Sequence, residues 1–152
     1  MIDPCPSGKP GRTVTAEIEK GRLRFFAKAI GETDPVYADE AAARAAGHPA
    51  LPVPPTYLFC AEMTEQREPV AWLADIGVNL LHILHGEQRF DYHAMAYAGD
   101  TLTFESRISD IFQRKGGALD FVVKDTRVTN QHGIHVADLR STVVQRVPAA
   151  GR

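Results

Sequence analysis

The stretch Gly31-Glu32-Thr33-Asp34-Pro35-Val36-Tyr37 gathers two carboxyls and a phenol within a few residues. Such groups can hold or pass protons, which is the work of general acid–base catalysis. Pro35 biases Asp34 away from the helical region, so the stretch is expected as a loop. His85-Gly86-Glu87-Gln88 is a second group. An imidazole titrates near neutrality, so His85 with Glu87 is a candidate acid/base pair. If residues 85–93 form a strand, alternation puts His85, Glu87, Arg89, Asp91 and His93 on one face. Gln88, Phe90 and Tyr92 then take the other. Pro54-Pro55-Thr56 is the third feature. It opens an apolar helix whose first N–H groups could bind an anion or a carbonyl oxygen.

Each group also has a purely structural reading. Glu32 can be solvated, Asp34 can turn the chain through its side chain, and Tyr37 can pack with a wet hydroxyl. The charged face of residues 85–93 can form salt bridges along a surface, and proline with threonine can serve simply to start a helix. His82 and His85 lie three apart, as do His132 and His135, but neither pair has a convincing third ligand, so no metal site is expected. Cys60 sits in an apolar run and is expected as a small buried hydrophobe. With Cys5 it makes no disulfide framework, which fits a reducing cytoplasm. Neither a phosphate-binding glycine loop nor a serine hydrolase elbow is present.

Positioning these residues requires a scaffold. Val14, Ala16 and Ile18 alternate with polar neighbours and predict a first strand that ends at Gly21. Leu23, Phe26, Ala27 and Ile30 predict a short helix stopped by Gly31. Asp39 should cap a second helix, Glu40 to Ala46, closed by Gly47. Thr56 to about Glu65 is apolar on most sides, so that helix should be buried, with Pro55 in its first turn. Residues Pro69 to Ile83 fit a short helix or a packed loop. Strands are expected over His85–His93, Thr101–Phe112, Leu119–Thr129 and His135–Arg146, with turn signals between them. A buried helix wrapped by a curved antiparallel sheet is the economical solution: an α+β fold of the hot-dog type.

The chain has 152 residues, 44% hydrophobic and 24% charged, with a net charge of −2. One domain over residues 13–147 is expected, between a flexible tail at 1–12 and a short C-terminal tail at 148–152. The absence of basic runs argues against a nucleic-acid partner, and no apolar run is long enough for membrane insertion. The first twelve residues lack the apolar stretch of a secretory leader, so a cytoplasmic location is expected.

Four segments then bring a family into view: Phe26–Ala43, Ala50–Leu58, His85–Phe90 and Ala98–Leu102. In this order and spacing the chain resembles the MaoC-like dehydratases, in particular the N-terminal type related to type I fatty-acid-synthase dehydratases. The resemblance covers about Val14 to Val147. It implies a hot-dog fold, subunits paired through their sheets, and an acyl thioester of CoA or acyl carrier protein (ACP) as ligand. The implied chemistry is reversible hydration of a trans-2-enoyl thioester to the (R)-3-hydroxyacyl form, with no cofactor. The signature of active members is Gly-Asp-x-Asn-Pro-(apolar)-His. Here Gly31, Pro35 and Val36 match it. Glu32 stands at the catalytic Asp position, Asp34 at the Asn and Tyr37 at the catalytic His. A phenol with a reference pKa of about 10 is a poor base at neutral pH. The extra methylene of Glu32 would displace its carboxylate by roughly an ångström, enough to weaken catalysis.

The expected catalytic candidates are therefore Glu32, Tyr37, His85 and Glu87. Asp34, Pro55, Thr56, Tyr57 and Gln88 are expected to contact substrate. The leading expectation is an acyl-thioester-binding subunit with a degenerate motif, in a homodimer or paired with a catalytic MaoC-like partner. Alternatives are a non-enzymatic acyl-CoA-binding homodimer, a self-sufficient hydratase using His85/Glu87 or Glu32/Tyr37, and a hot-dog thioesterase.

Overall fold

The computed structural model describes Ile2 and residues 10–147. Five antiparallel strands form one sheet in the order β1-β3-β4-β5-β2: β1 Pro10–Glu17, β2 Ile83–Tyr92, β3 Thr101–Arg114, β4 Leu119–Asn130 and β5 His135–Arg146. Between β1 and β2 lie helices α1 Lys20–Ala29, α2 Glu40–Ala45, α3 Tyr57–Thr64 and α4 Ala71–Asp75. This is the α+β hot-dog architecture that the pattern predicts.

Cross-strand partners share a face, so the pairing register sorts the side chains into two surfaces. Phe104, Val128, Ala137 and Tyr92 form one rung of the inner face; Ser106, Thr126, Leu139 and Phe90 form the next. The outer face carries charge. Its rungs include Glu105, Arg127, Asp138 and Asp91, then Arg107, Asp125, Arg140 and Arg89. Asp125 accepts two hydrogen bonds from the Arg140 guanidinium, at 2.7 and 3.1 Å. These bonds, against some burial, hold its carboxyl below the usual range.

Tyr57, Leu58 and Ala61 of α3 pack with Leu102, Phe104, Val128, Val136, Ala137 and Leu139 into the main core. Leu73, Ile76, Val78 and Val122 form a second cluster with Ile2. One charged pair lies within the core region: Glu62 of α3 and Lys124 of β4, with side chains 4% and 13% exposed. Thr126 Oγ1 also donates to Glu62, at 3.4 Å.

Several boundaries differ from expectation. β1 begins at Pro10, inside the segment expected as a tail, because its N-terminal part continues the pairing with β3 as far as Arg107. Ile2 is buried, whereas Cys5 lies outside the described residues. The central helix is shorter than expected, starting at Tyr57 and ending at Thr64. Pro55 is thus in the turn before the helix and not in its first turn. The segment 69–83 resolves into α4 and a short 3-10 turn at Leu80–His82.

Candidate functional site

Local capping builds the loop from residue 31 to residue 39. Gly31 takes φ 74°, the left-handed conformation that ends α1, and the Glu32 N–H closes the helix onto the Ala27 carbonyl at 2.9 Å. The Glu32 carboxylate then folds back on its own loop. Its Oε1 accepts from the Thr33 and Asp34 N–H groups, at 2.8 and 2.9 Å. Asp34 in turn accepts from the Val36 N–H at 3.0 Å and caps the 3-10 turn Pro35–Tyr37. Asp39 caps α2 through the Ala41 and Ala42 N–H groups, and these bonds lower its pKa. Val36 packs against the main core and anchors the loop.

Tyr37 is half-buried. Desolvation first, then the charges of Glu32 and Asp34, push its phenol above the ordinary value. The phenol can donate a hydrogen bond but does not serve as a neutral-pH base. The Glu32 and Asp34 carboxylates thus brace the turns of their own loop.

The second part of the site depends on a bulge. His85 pairs with Val143 and Glu87 with Thr142, leaving Gly86 as the extra residue. A Cβ on Gly86 would lie 2.8 Å from Val144 Cγ2 and 3.3 Å from the Thr142 carbonyl oxygen, which explains why glycine fits here. The bulge reverses the expected alternation. His85 joins Gln88, Phe90 and Tyr92 on the inner face, while Glu87, Arg89 and Asp91 stay on the outer one. The expected His85/Glu87 pair is therefore split across the sheet. His85 instead stacks on Phe59 of α3, with ring centroids 5.1 Å apart, and its Nε2–H donates to the Glu87 carbonyl at 3.1 Å. Ser141 donates its hydroxyl to Gln88 Oε1.

The start of α3 brings the remaining residues together. Thr56 has φ 73°, strained for a β-branched residue, and makes no side-chain cap. Its N–H donates to the Tyr92 hydroxyl at 2.9 Å. That N–H, expected for substrate, already has a partner. Tyr57 is buried, with its ring edge-on to Phe26 at 5.2 Å. Burial also raises the Tyr57, Tyr92 and Cys60 pKa values, so Cys60 is no reactive thiolate.

The structure thus forms two groups. One is Glu32, Asp34 and Tyr37. The other lies along α3 and the inner face of the sheet as three contacts: Thr56 with Tyr92, Phe59 with His85, and Ser141 with Gln88. Among the described residues no hydrogen bond, ion pair or ring contact links the loop group to His85 or Gln88. Phe59, Tyr92 and Ser141 are not among the residues the sequence singles out. Phe59 and Ser141 give no signal without the register, whereas Tyr92 shares the period-two set of Gln88 and Phe90.

A family model described as "FAS1-like, dehydratase domain region" matches residues 7–139. The chain belongs to this family. Its solved structural neighbours include MaoC-like dehydratases. A "UPF0336 protein" of Parafrankia sp. is 35% identical over 146 residues, covering 93% of this chain and 95% of the relative. Another "UPF0336 protein", from Saccharopolyspora erythraea, is 31% identical over 134 residues, covering 88% and 84%. The C-terminally truncated HadBC (3R-hydroxyacyl-ACP dehydratase) complex of Mycobacterium tuberculosis supplies a similar chain, with TM-score 0.75 and 25% identity. The match covers 91% of this chain and 98% of that one. No helix among the described residues is long and apolar enough to cross a membrane.

Proposed function

We propose that this chain is the acyl-thioester-binding subunit of an (R)-specific enoyl-thioester hydratase or 3-hydroxyacyl-thioester dehydratase, and that a partner subunit carries out the proton transfers. One observation carries the reading: at the two catalytic positions stand a carboxylate that braces its own loop through Oε1 and a phenol whose pKa is raised further. Glu32 Oε1 holds two loop N–H groups, and the Tyr37 phenol is kept protonated. A hydratase must move one proton at Cα and activate water at Cβ, which requires a base aimed at the substrate and not folded back onto its own loop. No cofactor enters this reading.

The inner face of β2 is well suited to a substrate wall. His85 and Tyr92 present aromatic surface there, Phe59 of α3 stacks over His85, and Gln88 adds an amide. β2 is an edge strand, with one row of backbone groups left unpaired by the sheet. Leu81 is 89% exposed and Leu84 60% exposed, so apolar side chains flank that edge. A second MaoC-like chain seated there would cover them and close the acyl pocket. The HadBC complex, described as a 3R-hydroxyacyl-ACP dehydratase, supports a two-chain arrangement.

The test is co-expression with a MaoC-like chain bearing the intact Asp and His, then size-exclusion chromatography and hydration of crotonyl-CoA and longer enoyl-CoAs. The expected result is a complex that turns over and an isolated chain that does not. The proposal fails if the isolated chain binds no acyl-CoA and no partner.

A further inference from the structure

A cluster unrelated to the loop at 31–39 lies at the rim of the outer face. His93 follows β2, while His135 and Asp138 belong to β5. The sequence spacing hides it, because His135 and Asp138 are three apart on a strand and should face opposite ways. A register shift brings them together. Val128 pairs with Ala137 and Thr129 with His135, leaving Val136 as the extra residue. The bulge turns His135 onto the outer face beside Asp138, and the His93 N–H bonds to the Val136 carbonyl at 2.8 Å.

The three side chains converge. His93 Nε2 lies 2.8 Å from Asp138 Oδ2, and His135 Nε2 lies 3.0 Å from Asp138 Oδ1. The two rings are 4.3 Å apart at their centroids, tilted by 36°. One ligand atom from each residue can be chosen so that all three lie within 4.8 Å of one another. Tetrahedral coordination at bond lengths of about 2.0–2.1 Å puts ligand atoms roughly 3.3 Å apart. A cation would therefore enter after modest shifts by side chains that are 28–48% exposed. Two imidazoles and one carboxylate favour a borderline transition metal over magnesium or calcium, which prefer all-oxygen sets.

We propose that His93, His135 and Asp138 bind one divalent first-row transition-metal ion, zinc above all, clamping the end of β2 to the start of β5. Three protein ligands leave a fourth position for water or for a group from another molecule. Arg127 and Asp91 face Asp138 from the neighbouring strands, and Asp91 is itself paired with Arg89 at 2.9 Å. Both Asp138 oxygens accept from the histidine Nε2–H groups in the metal-free chain, so a cation exchanges these bonds for coordination as the Nε2 protons leave or move to Nδ1.

The experiment uses the full chain without an affinity tag. Zinc chloride is titrated by calorimetry, and the histidine ring nitrogens are followed by long-range nitrogen–proton NMR. One zinc per chain is expected, with the His93 and His135 Nε2 signals shifting and those of His82 and His132 unmoved. His93→Ala, His135→Ala and Asp138→Asn should each weaken binding at least tenfold, while His82→Ala should not. If a variant fails to fold, the stoichiometry and the ring-nitrogen shifts of the unmodified chain still decide between the outcomes. Absence of zinc binding, or shifts confined to other histidines, would leave only a hydrogen-bonded His–Asp–His cluster and overturn the proposal.

Discussion

Glu32 distinguishes a loop brace from a catalyst, and two substitutions separate the roles. Its Oε1 accepts from two backbone N–H groups, at 2.8 and 2.9 Å, in a half-buried position. Glu32→Ala removes both acceptor contacts, but water can reach part of the loop and replace some of the loss. By analogy with helix N-cap truncations, the cost should be about 1–2 kcal/mol. For a domain near 150 residues, each kcal/mol moves the melting temperature by about 2–4 °C. Glu32→Ala should therefore melt roughly 2–8 °C lower by circular dichroism. Glu32→Gln keeps a carbonyl oxygen as acceptor and should lose about half of that or less. In the reconstituted complex with a catalytic partner, Glu32→Gln should change enoyl-CoA hydration by less than about tenfold. A positioned general acid or base contributes about 100- to 10,000-fold. Loss of turnover on that scale with an unchanged melting temperature would rule out the bracing role.

Other consequences follow from the core and the sheet. Lys124→Met leaves Glu62 buried without its cation and should cost about 3–5 kcal/mol in urea unfolding, whereas the double change Glu62→Met with Lys124→Met should recover much of it. Gly86→Ala forces a Cβ to 2.8 Å from Val144 Cγ2. It should cost about 1–3 kcal/mol and shift the His85 ring signals in NMR as the stacking on Phe59 is disturbed. Asp125 has a lowered carboxyl pKa, chiefly from the Arg140 hydrogen bonds. Its stabilising contribution is therefore full above the ordinary carboxyl value near pH 4 and is lost as pH falls through the lowered one. The urea midpoints of the unmodified chain and Asp125→Asn should differ at about pH 6 and about pH 4, and converge only as pH falls further, through the lowered carboxyl value.

Much of this fold is legible because hydrophobic period and turn chemistry agree. β5 runs over His135–Arg146 as the alternation predicts, and Gly31, Asp39 and Gly47 end or cap their helices as their types demand. The loop at 31–37 was readable for the same reason, since Asp34-Pro35 dictates a turn locally. The face of His85 was not. One extra residue at Gly86 inverts the side chains before it, and the bulge is defined by pairing with β5, a contact made far along the chain. The bulge at Val136 hid the grouping of His135 with His93 and Asp138 in the same way. The start of α3 differs from expectation because Pro55 suits a first helical turn, whereas Thr56 is left-handed and the helix begins at Tyr57.

Division of labour between two chains, one binding the acyl thioester and the other moving the protons, is open to a direct kinetic test. The decisive quantity is the initial rate of enoyl-CoA hydration by the purified chain alone, beside the same chain mixed with a MaoC-like subunit carrying Asp and His. Acyl-CoA binding with negligible turnover is expected of the chain alone, and robust turnover of the mixture. Robust turnover by the isolated chain, lost on Glu32→Gln or on His85→Ala, would show instead that this chain is its own catalyst.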